Sequence, residues 1–499
     1  MPTTALKKTL KVAQAAQNSN QRSFHLPLDL IDPLLQKTFA ADRANLTKTR
    51  LPIVTVSGTY QEDLKGLYGL SESDRGADIV LSRAHYSMAL AVAVAAWGKT
   101  IDPKRAWIVD PTNYITRSEW SKVVLTQWVG QVLARHPLLK LVKDFVDKFG
   151  RSKLPILQSI TPPLQFLTQD IRGPVLSLHI AAGNILVAEG KTVVQVVTDP
   201  HVREDYLTFA DHPNLSYCVF DNATKQELLE KATRLGKYVD PHHVIVTGPP
   251  VDPRVVAAKT GKTPWTFEVN REKSGLSTKN RPLRLLLTTG GLGTNKPEIE
   301  QILNSLLPIL KAPDSPIQLL VYAGTQWDIR ESVLQSAKTA GVTNTLITEF
   351  DSAHFKIHST LRPTGTHPQA PILKSNLAVI YHPQIVDANE LLIQYGFPWA
   401  DGCITKPSGD MAYDAAAAGC FLLTLAEWGE WEHNIREVFT RAGVATKAES
   451  SDLIQQLETL ADQGWITTAM QAALNLGSEF TEGAEKIVTE FQKLKPTVK

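Results

Sequence analysis

Short runs of branched and leucine-type residues recur along the chain, each trailed by a stretch with helical periodicity, and this alternation restricts the fold more than any other feature. Repeated strand-helix-strand units build a mostly parallel sheet with helices on its faces. Between Leu51 and Gly248 the runs are LPIVTVS, ADIVLS, RAWIVD, PVLSLHI, TVVQVVTD, LSYCVF and HHVIVTG. After Arg281 they are LRLLLTT, IQLLVYAG, NLAVIYH, DGCIT and CFLLTL. Ser87 to Trp97 is almost entirely apolar and belongs between a sheet and its neighbours, whereas Lys225 to Leu235 is amphipathic. The two series are separated by REKSGLSTKNR, Arg271 to Arg281, in which Leu276 is the one large apolar residue, the composition of a connector. The 499 residues are enough for two domains, each with its own core. The expected organisation is a basic tail over 1–24, an α/β domain over 25–268, a linker over 269–281, a second α/β domain over 282–478 and a C-terminal helix over 479–499 that packs on either domain.

Charge and cysteine content narrow the function classes. Lys plus Arg number 52 against 50 Asp plus Glu, a formal charge of +2, which argues against nucleic-acid binding driven by bulk phosphate attraction. Cys218, Cys403 and Cys420 are odd in number, far apart and match no metal-ligand spacing, so a reducing compartment is the expectation and the cytoplasm is favoured. The tail carries Lys7, Lys8, Lys11 and Arg22 with no acid and without the apolar run of a signal peptide; a solvated tail and a membrane-lying helix both fit it. No stretch of about 18 apolar residues occurs, so the expected protein is soluble, or peripheral on the cytoplasmic face of a membrane.

In open α/β sheets ligands bind beyond the carboxyl ends of the strands, which directs attention to three segments. LRLLLTT runs into Gly290-Gly291-Leu292-Gly293-Thr294-Asn295 and then into a helix; glycines there let backbone N–H groups approach a phosphate at a helix N-terminus, although a plain tight turn uses the same residues. DGCIT ends at Thr405, and Lys406-Pro407-Ser408-Gly409 opens an Ala-rich helix that Ser408 or Asp410 could cap. Its N-terminus suits a diphosphate and Asp414 could accept ribose hydroxyls; the alternative is a capped core helix. After CFLLTL, the residues Glu427, Glu430, Glu432, His433 and Asn434 crowd together, which fits a sugar with several hydroxyls or an exposed loop face.

Together these segments resemble the nucleotide-sugar half of inverting glycosyltransferases with the GT-B fold, the glycosyltransferase family 28-like group containing monogalactosyldiacylglycerol synthases and the N-acetylglucosaminyltransferase of the lipid-linked peptidoglycan precursor. That group carries a strand followed by GG(x)G, a strand ending in a small residue and Gly (here Tyr322-Ala323-Gly324), then ITK-x-G/S-x-x-x-x-E-A-x-x-x-G-x-P, then G-Q/E-E-x-x-N. The last two are matched by Ile404-Thr405-Lys406-Pro407-Ser408-Gly409, Asp414-Ala415 and Gly419, and by Gly429-Glu430-x-Glu432-x-Asn434. Asp414 replaces the group's Glu, and Cys420-Phe421 stands where its Pro follows the helix. In the first domain Ser82-Arg83-Ala84-His85-Tyr86-Ser87-Met88-Ala89 occupies the place of a glycine-rich loop and keeps its His, while QVVTDPHVREDYL and HHVIVTGPPVDPRV are similar to further motifs of the group. The resemblance covers about residues 75–110 and 170–450.

The resemblance implies a GT-B architecture, two Rossmann-like parallel-sheet domains facing a central cleft. It implies a nucleotide-sugar donor held by Gly290, Gly291, Gly293, Gly324, Lys406, Ser408, Gly409, Asp414, Glu430 and Asn434, with no metal and no cofactor. Inverting transfer needs a base for the acceptor hydroxyl and stabilisation of the departing diphosphate. His85 and Asp199 are the base candidates, and the roles of base, orienting group and simple cap stay open between them. Between Tyr114 and Leu154, aromatic and aliphatic residues including Trp120 and Trp128 interleave with Lys122, Lys140 and Lys143, which suits an anionic membrane surface and a lipid acceptor such as diacylglycerol or a polyprenyl-linked sugar; a helix pair covering the sheet is the other reading. A nucleotide-sugar 2-epimerase and a non-catalytic nucleotide-sugar-binding protein are the competing functions.

Overall fold

The computed structural model describes residues 33–58, 79–116, 119–135, 155–266, 281–290, 292–348 and 375–494. Two sheets carry the chain, and every ladder in both is parallel. The first comprises β1 (Pro52–Val54), β2 (Trp107–Val109), β3 (Val175–Ser177), β4 (Val193–Val196), β5 (Leu215–Val219) and β6 (Val244–Val246), in the order β2-β1-β3-β4-β5-β6. The second comprises β7 (Leu283–Thr288), β8 (Ile317–Gly324), β9 (Asn344–Ile347), β10 (Leu377–Tyr381), β11 (Gly402–Thr405), β12 (Phe421–Thr424) and β13 (Ala445–Lys447), in the order β13-β12-β11-β7-β8-β10-β9. The α/β class with two doubly wound parallel sheets therefore matches the expectation. The central strands are buried on both faces, which is why they read as continuous apolar runs.

Three features differ from the sequence reading. The described part of ADIVLS, residues 79–82, is not a strand: Val80 makes a single antiparallel bridge to Gly58, and the N–H groups of Leu81 and Ser82 both donate to Ser57 O. Both edges of β1 are already occupied by β2 and β3, so the segment instead folds back over the end of β1. Gly58 makes that closure sterically feasible, since a Cβ there would stand 2.3 Å from Ile79 O. Strands β9 and β13 were not expected because, as partly exposed edge strands, they lack a buried run.

The chain divides into two compact units, residues 1–250 with 483–499, and residues 251–482. The crossing at Pro250 falls ahead of the connector expected at 269–281, of which 269–280 lies outside the described residues. Segment 251–266 adheres to the second unit for identifiable reasons. The Arg254 guanidinium donates to Asp252 and, through two bonds of 2.9 Å, to Glu390, which is 1% exposed. Lys262 Nζ donates to Phe397 O and Ala400 O, and Trp265 is part of the second core. The terminal helix, Gly483–Lys493, packs on the helix Arg83–Trp97 of the first unit. A Cβ at Gly483 would meet Pro249 O at 2.0 Å, so only glycine permits that approach. None of the three cysteines is disulfide-bonded and all are buried. No described helix is long and apolar enough to cross a membrane.

Candidate functional site

In the second sheet the strand order reverses at β7: the chain leaves it for β8 on one side and later places β11 on the other. At such a switch point the loops leaving two adjacent strands diverge and open a crevice at their carboxyl ends. The ends of β7 and β11 are fastened together by a buried hydrogen bond in which Thr288 Oγ1 donates to Thr405 Oγ1 at 2.7 Å. Beyond it lie the loop Thr289 to Asn295 and the turn Lys406 to Asp410. Gly290 has no room for a side chain, since a Cβ would stand 2.6 Å from Thr294 Oγ1 and 3.9 Å from Lys406 Cδ, so the lysine stem lies against the glycine. Gly293 and Asn295 both adopt left-handed backbone, φ 68° and 61°, which bends the loop sharply before the helix Lys296–Leu310 begins. The Thr294 hydroxyl is buried with no partner among the described residues. Gly291 lies outside the described residues.

Lys406 forms an ion pair with Glu432, whose side chain is fully buried. The second carboxylate oxygen of Glu432 accepts the Trp428 N–H at 2.5 Å, which fixes the start of the helix Glu430–Arg441. The acidic cluster seen in the sequence is thus divided. Glu432 turns inward to the lysine, Glu427 pairs with Arg436, and Glu430 is exposed. A clamp not legible in the residues alone ties the loops after β7, β12 and β13 together: Glu298 accepts the Ala426 N–H at 3.1 Å and the Ser450 hydroxyl at 2.8 Å, while Asn295 Nδ2 donates to Glu298 and to Ala426 O. Its one legible signal is position, since Glu298 lies in the first turn of a helix, where acids are favoured.

The turn after β11 is more self-contained than its composition suggests. Ser408 N–H donates to Lys406 O at 2.8 Å, and its hydroxyl donates to Asp410 Oδ1 at 2.6 Å while accepting Met411 N–H at 3.2 Å. Ser408 is therefore a capping residue whose polar groups are engaged by protein. Gly409 N–H has no acceptor among the described residues. Asp414 is 6% exposed in the first turn of the helix Met411–Ala417. Gly324 ends β8 with φ 58° against the Tyr322 ring, and Asn434 lies on the helix Glu430–Arg441, half-buried.

In the first unit His85 lies in the opening turn of the helix Arg83–Trp97, capped by Ser82, whose hydroxyl accepts the His85 N–H at 3.4 Å. Its Nε2 stands 3.5 Å from Thr198 Oγ1, and its ring meets the edge of His179 with centroids 5.0 Å apart. Thr198 in turn contacts the Tyr206 hydroxyl at 3.2 Å. His179 and Thr198 were not singled out from the sequence, because the topology brings the ends of β3 and β4 to the same place. Asp199 pairs with Arg203 at 3.7 Å. Nearby, the buried Asp110 accepts Ser57 N–H, Gly58 N–H, Thr112 N–H and both hydroxyls of Ser57 and Thr112. Burial pushes its carboxyl above the usual range while these donors pull the other way.

The helix Trp120–Arg135 presents Val124, Leu125 and Trp128 to solvent, Trp128 at 59% exposure. Lys122 is engaged by Glu119, at 2.5 Å, which also accepts the Ser159 hydroxyl. Lys140, Lys143 and the Trp120 side chain lie outside the described residues.

No family model matches the chain, and no curated protein matches it. Among solved structures it is similar to MurG of Acinetobacter baumannii, with 12% identity over 89% of this chain and 100% of that one and a TM-score of 0.40. It is similar to the UDP-GlcNAc 2-epimerase from Neisseria meningitidis bound to UDP-GlcNAc, with 12% identity, 88% and 99% coverage and a TM-score of 0.44. The glycosyltransferase SsfS6 from Streptomyces sp. SF2575, complexed with thymidine diphosphate, gives 13%, 88%, 99% and 0.41.

Proposed function

We propose that the protein is an inverting glycosyltransferase that moves a sugar from a nucleoside-diphosphate sugar, UDP-linked, to a hydroxyl of a membrane lipid such as diacylglycerol or a polyprenyl-linked sugar. One observation carries the reading. At the switch point of the second sheet, the glycine-bearing loop of β7 and the Lys406–Gly409 turn of β11 meet, with the lysine stem against Gly290 and the strand ends joined by a hydroxyl bridge. Backbone amides and one cation brought to one crevice are what a departing diphosphate requires, and they perform that task without a metal ion. Gly409 N–H and the Lys406 ammonium are the donors assigned to the phosphates, with Asp414 and Asn434 assigned to the ribose and sugar. Ser408 is assigned to shaping the turn. His85 is the assigned base, held by its helix cap and by the Thr198 and His179 contacts; Asp199 is the second candidate. The exposed Val124, Leu125 and Trp128 support a peripheral lipid-facing surface on the first unit.

The test is a donor screen with radiolabelled nucleotide sugars and a lipid extract, beside calorimetric titration with UDP. Incorporation of label into lipid, lost in His85→Ala while UDP affinity persists, is the expected result. Interconversion of UDP-sugar epimers without acceptor would replace this reading with the epimerase. UDP binding with no turnover at all would replace it with a binding protein.

A further inference from the structure

At the opposite, amino-terminal ends of β7 and β11 the second unit contains a cavity of about 270 Å³ that the proposed transfer does not use. Arg284 on β7 is roughly 20 Å along the strand from Gly290, at about 3.3 Å per residue, so a ligand at one end does not touch the other. Among the described residues the cavity is lined by Lys262, Arg281 and Arg284 and by one carboxylate, Asp401. That carboxylate is fully engaged: Arg281 donates to both of its oxygens, and the Arg284 backbone N–H donates to Oδ2 at 3.0 Å. Lys262 is engaged by Phe397 O at 2.6 Å and Ala400 O at 2.8 Å.

The Arg284 side chain is different. Its guanidinium makes no hydrogen bond to any described residue, its Nε is sealed from solvent, and its carbon lies 6.0 Å from the Trp399 ring centroid. Burial, and then the charge of Arg281, lower its pKa, with Asp401 opposing. The sealed Nε has lost hydration that no described residue replaces. Among the described residues, three cations against one carboxylate leave two positive charges uncompensated, which a carboxylate ligand would halve and a dianion would neutralise. A guanidinium's planar fork also matches phosphoryl oxygens in pairs.

We propose that this cavity binds a phosphoryl dianion, either inorganic phosphate or the phosphomonoester end of a small metabolite, gripped by the Arg284 guanidinium. The site is independent of the transferase reading. Calorimetric titration of the full chain with inorganic phosphate and with glycerol 3-phosphate, at ionic strength fixed with chloride, tests it. Saturable uptake is expected. Arg284→Gln should weaken it at least about tenfold, since charge-assisted bonds are lost, whereas Lys296→Gln, beside the other end of the sheet, should leave it intact. Tighter uptake of the ester would assign the metabolite, and equal or tighter uptake of phosphate the free ion. Thr263→Glu, which places a carboxylate at the exposed rim of the cavity, should block uptake without removing Arg284 and covers the case in which Arg284→Gln does not fold. Absence of saturable uptake, uptake unchanged in the Arg284 and Thr263 variants, or uptake abolished by Lys296→Gln would overturn the proposal.

Discussion

The two sheets are built alike, yet their carboxyl ends are furnished in opposite ways. At the end of β1 a buried acid, Asp110, gathers amides and hydroxyls from Ser57, Gly58 and Thr112, so the backbone donors there are engaged by protein. At the end of β7 the loop bends on Gly290, Gly293 and Asn295, and the charge beside it is a cation, Lys406, held against a buried Glu432. An edge whose donors are already satisfied is a structural device. The other leaves Gly409 N–H without an acceptor among the described residues and a lysine at its mouth, the kind of edge proposed above to receive the diphosphate. The difference teaches that the same switch-point topology can engage its loop donors with a buried acid or leave one of them, the Gly409 N–H, without an acceptor among the described residues.

The comparison can be broken at either end. Asp110→Ala should have the largest effect, about 4 kcal/mol of lost stability from several buried donors left without an acceptor, with UDP affinity unchanged; denaturant unfolding beside calorimetry reads both. A loss below about 1 kcal/mol would mean that the β1 loop is not held by this acid. Lys406→Met should cost about 3 kcal/mol, because it strands a buried carboxylate, and should also reduce UDP affinity. Adding Glu432→Leu should restore stability but not UDP binding; recovery of both would reduce the lysine to a structural partner. Gly290→Ala should cost about 1 kcal/mol and weaken UDP binding, with Thr294→Ala in the same chain relieving the stability loss but not the binding loss.

The smallest effect sharpens the picture of the first unit through pH. Burial alone would raise the Glu227 carboxyl, but the His201 and Lys231 side chains and the Val202 N–H bring it down to about 2. A depressed carboxylate pKa contributes stability that is fully present above the ordinary value of 4.5 and disappears as pH falls through 2. Glu227→Gln should therefore lower the melting temperature at pH 6 and converge with the parent protein near pH 2. A constant difference across that range would remove Glu227 from the acid response.

Much of this was legible in the residues themselves. Eleven of the strands follow from apolar runs, since a strand covered on both faces has to be apolar at every position. Lys406 and Glu432 were both visible as chemistry-bearing residues, though not as a pair. Glu298 and His179 were not visible, because their importance arises from meeting Ala426 and His85, more than 90 positions away in each case. ADIVLS read as a strand from its composition, and no local pattern reveals that both edges of β1 are already taken.

By itself the sequence determined the α/β class, the parallel pairing of the strands and the glycine-bearing loops at the strand ends, because these depend on hydrophobic period and on glycine placement, both local properties. Only the tertiary structure decided which unit receives segment 251–266 and the terminal helix, that Ser408 caps its own turn, and that Arg284 Nε has no acceptor among the described residues. Those outcomes depend on which partner a charged or polar group meets across the fold, and electrostatic satisfaction in a low-dielectric interior is settled by three-dimensional neighbours, not by neighbours along the chain.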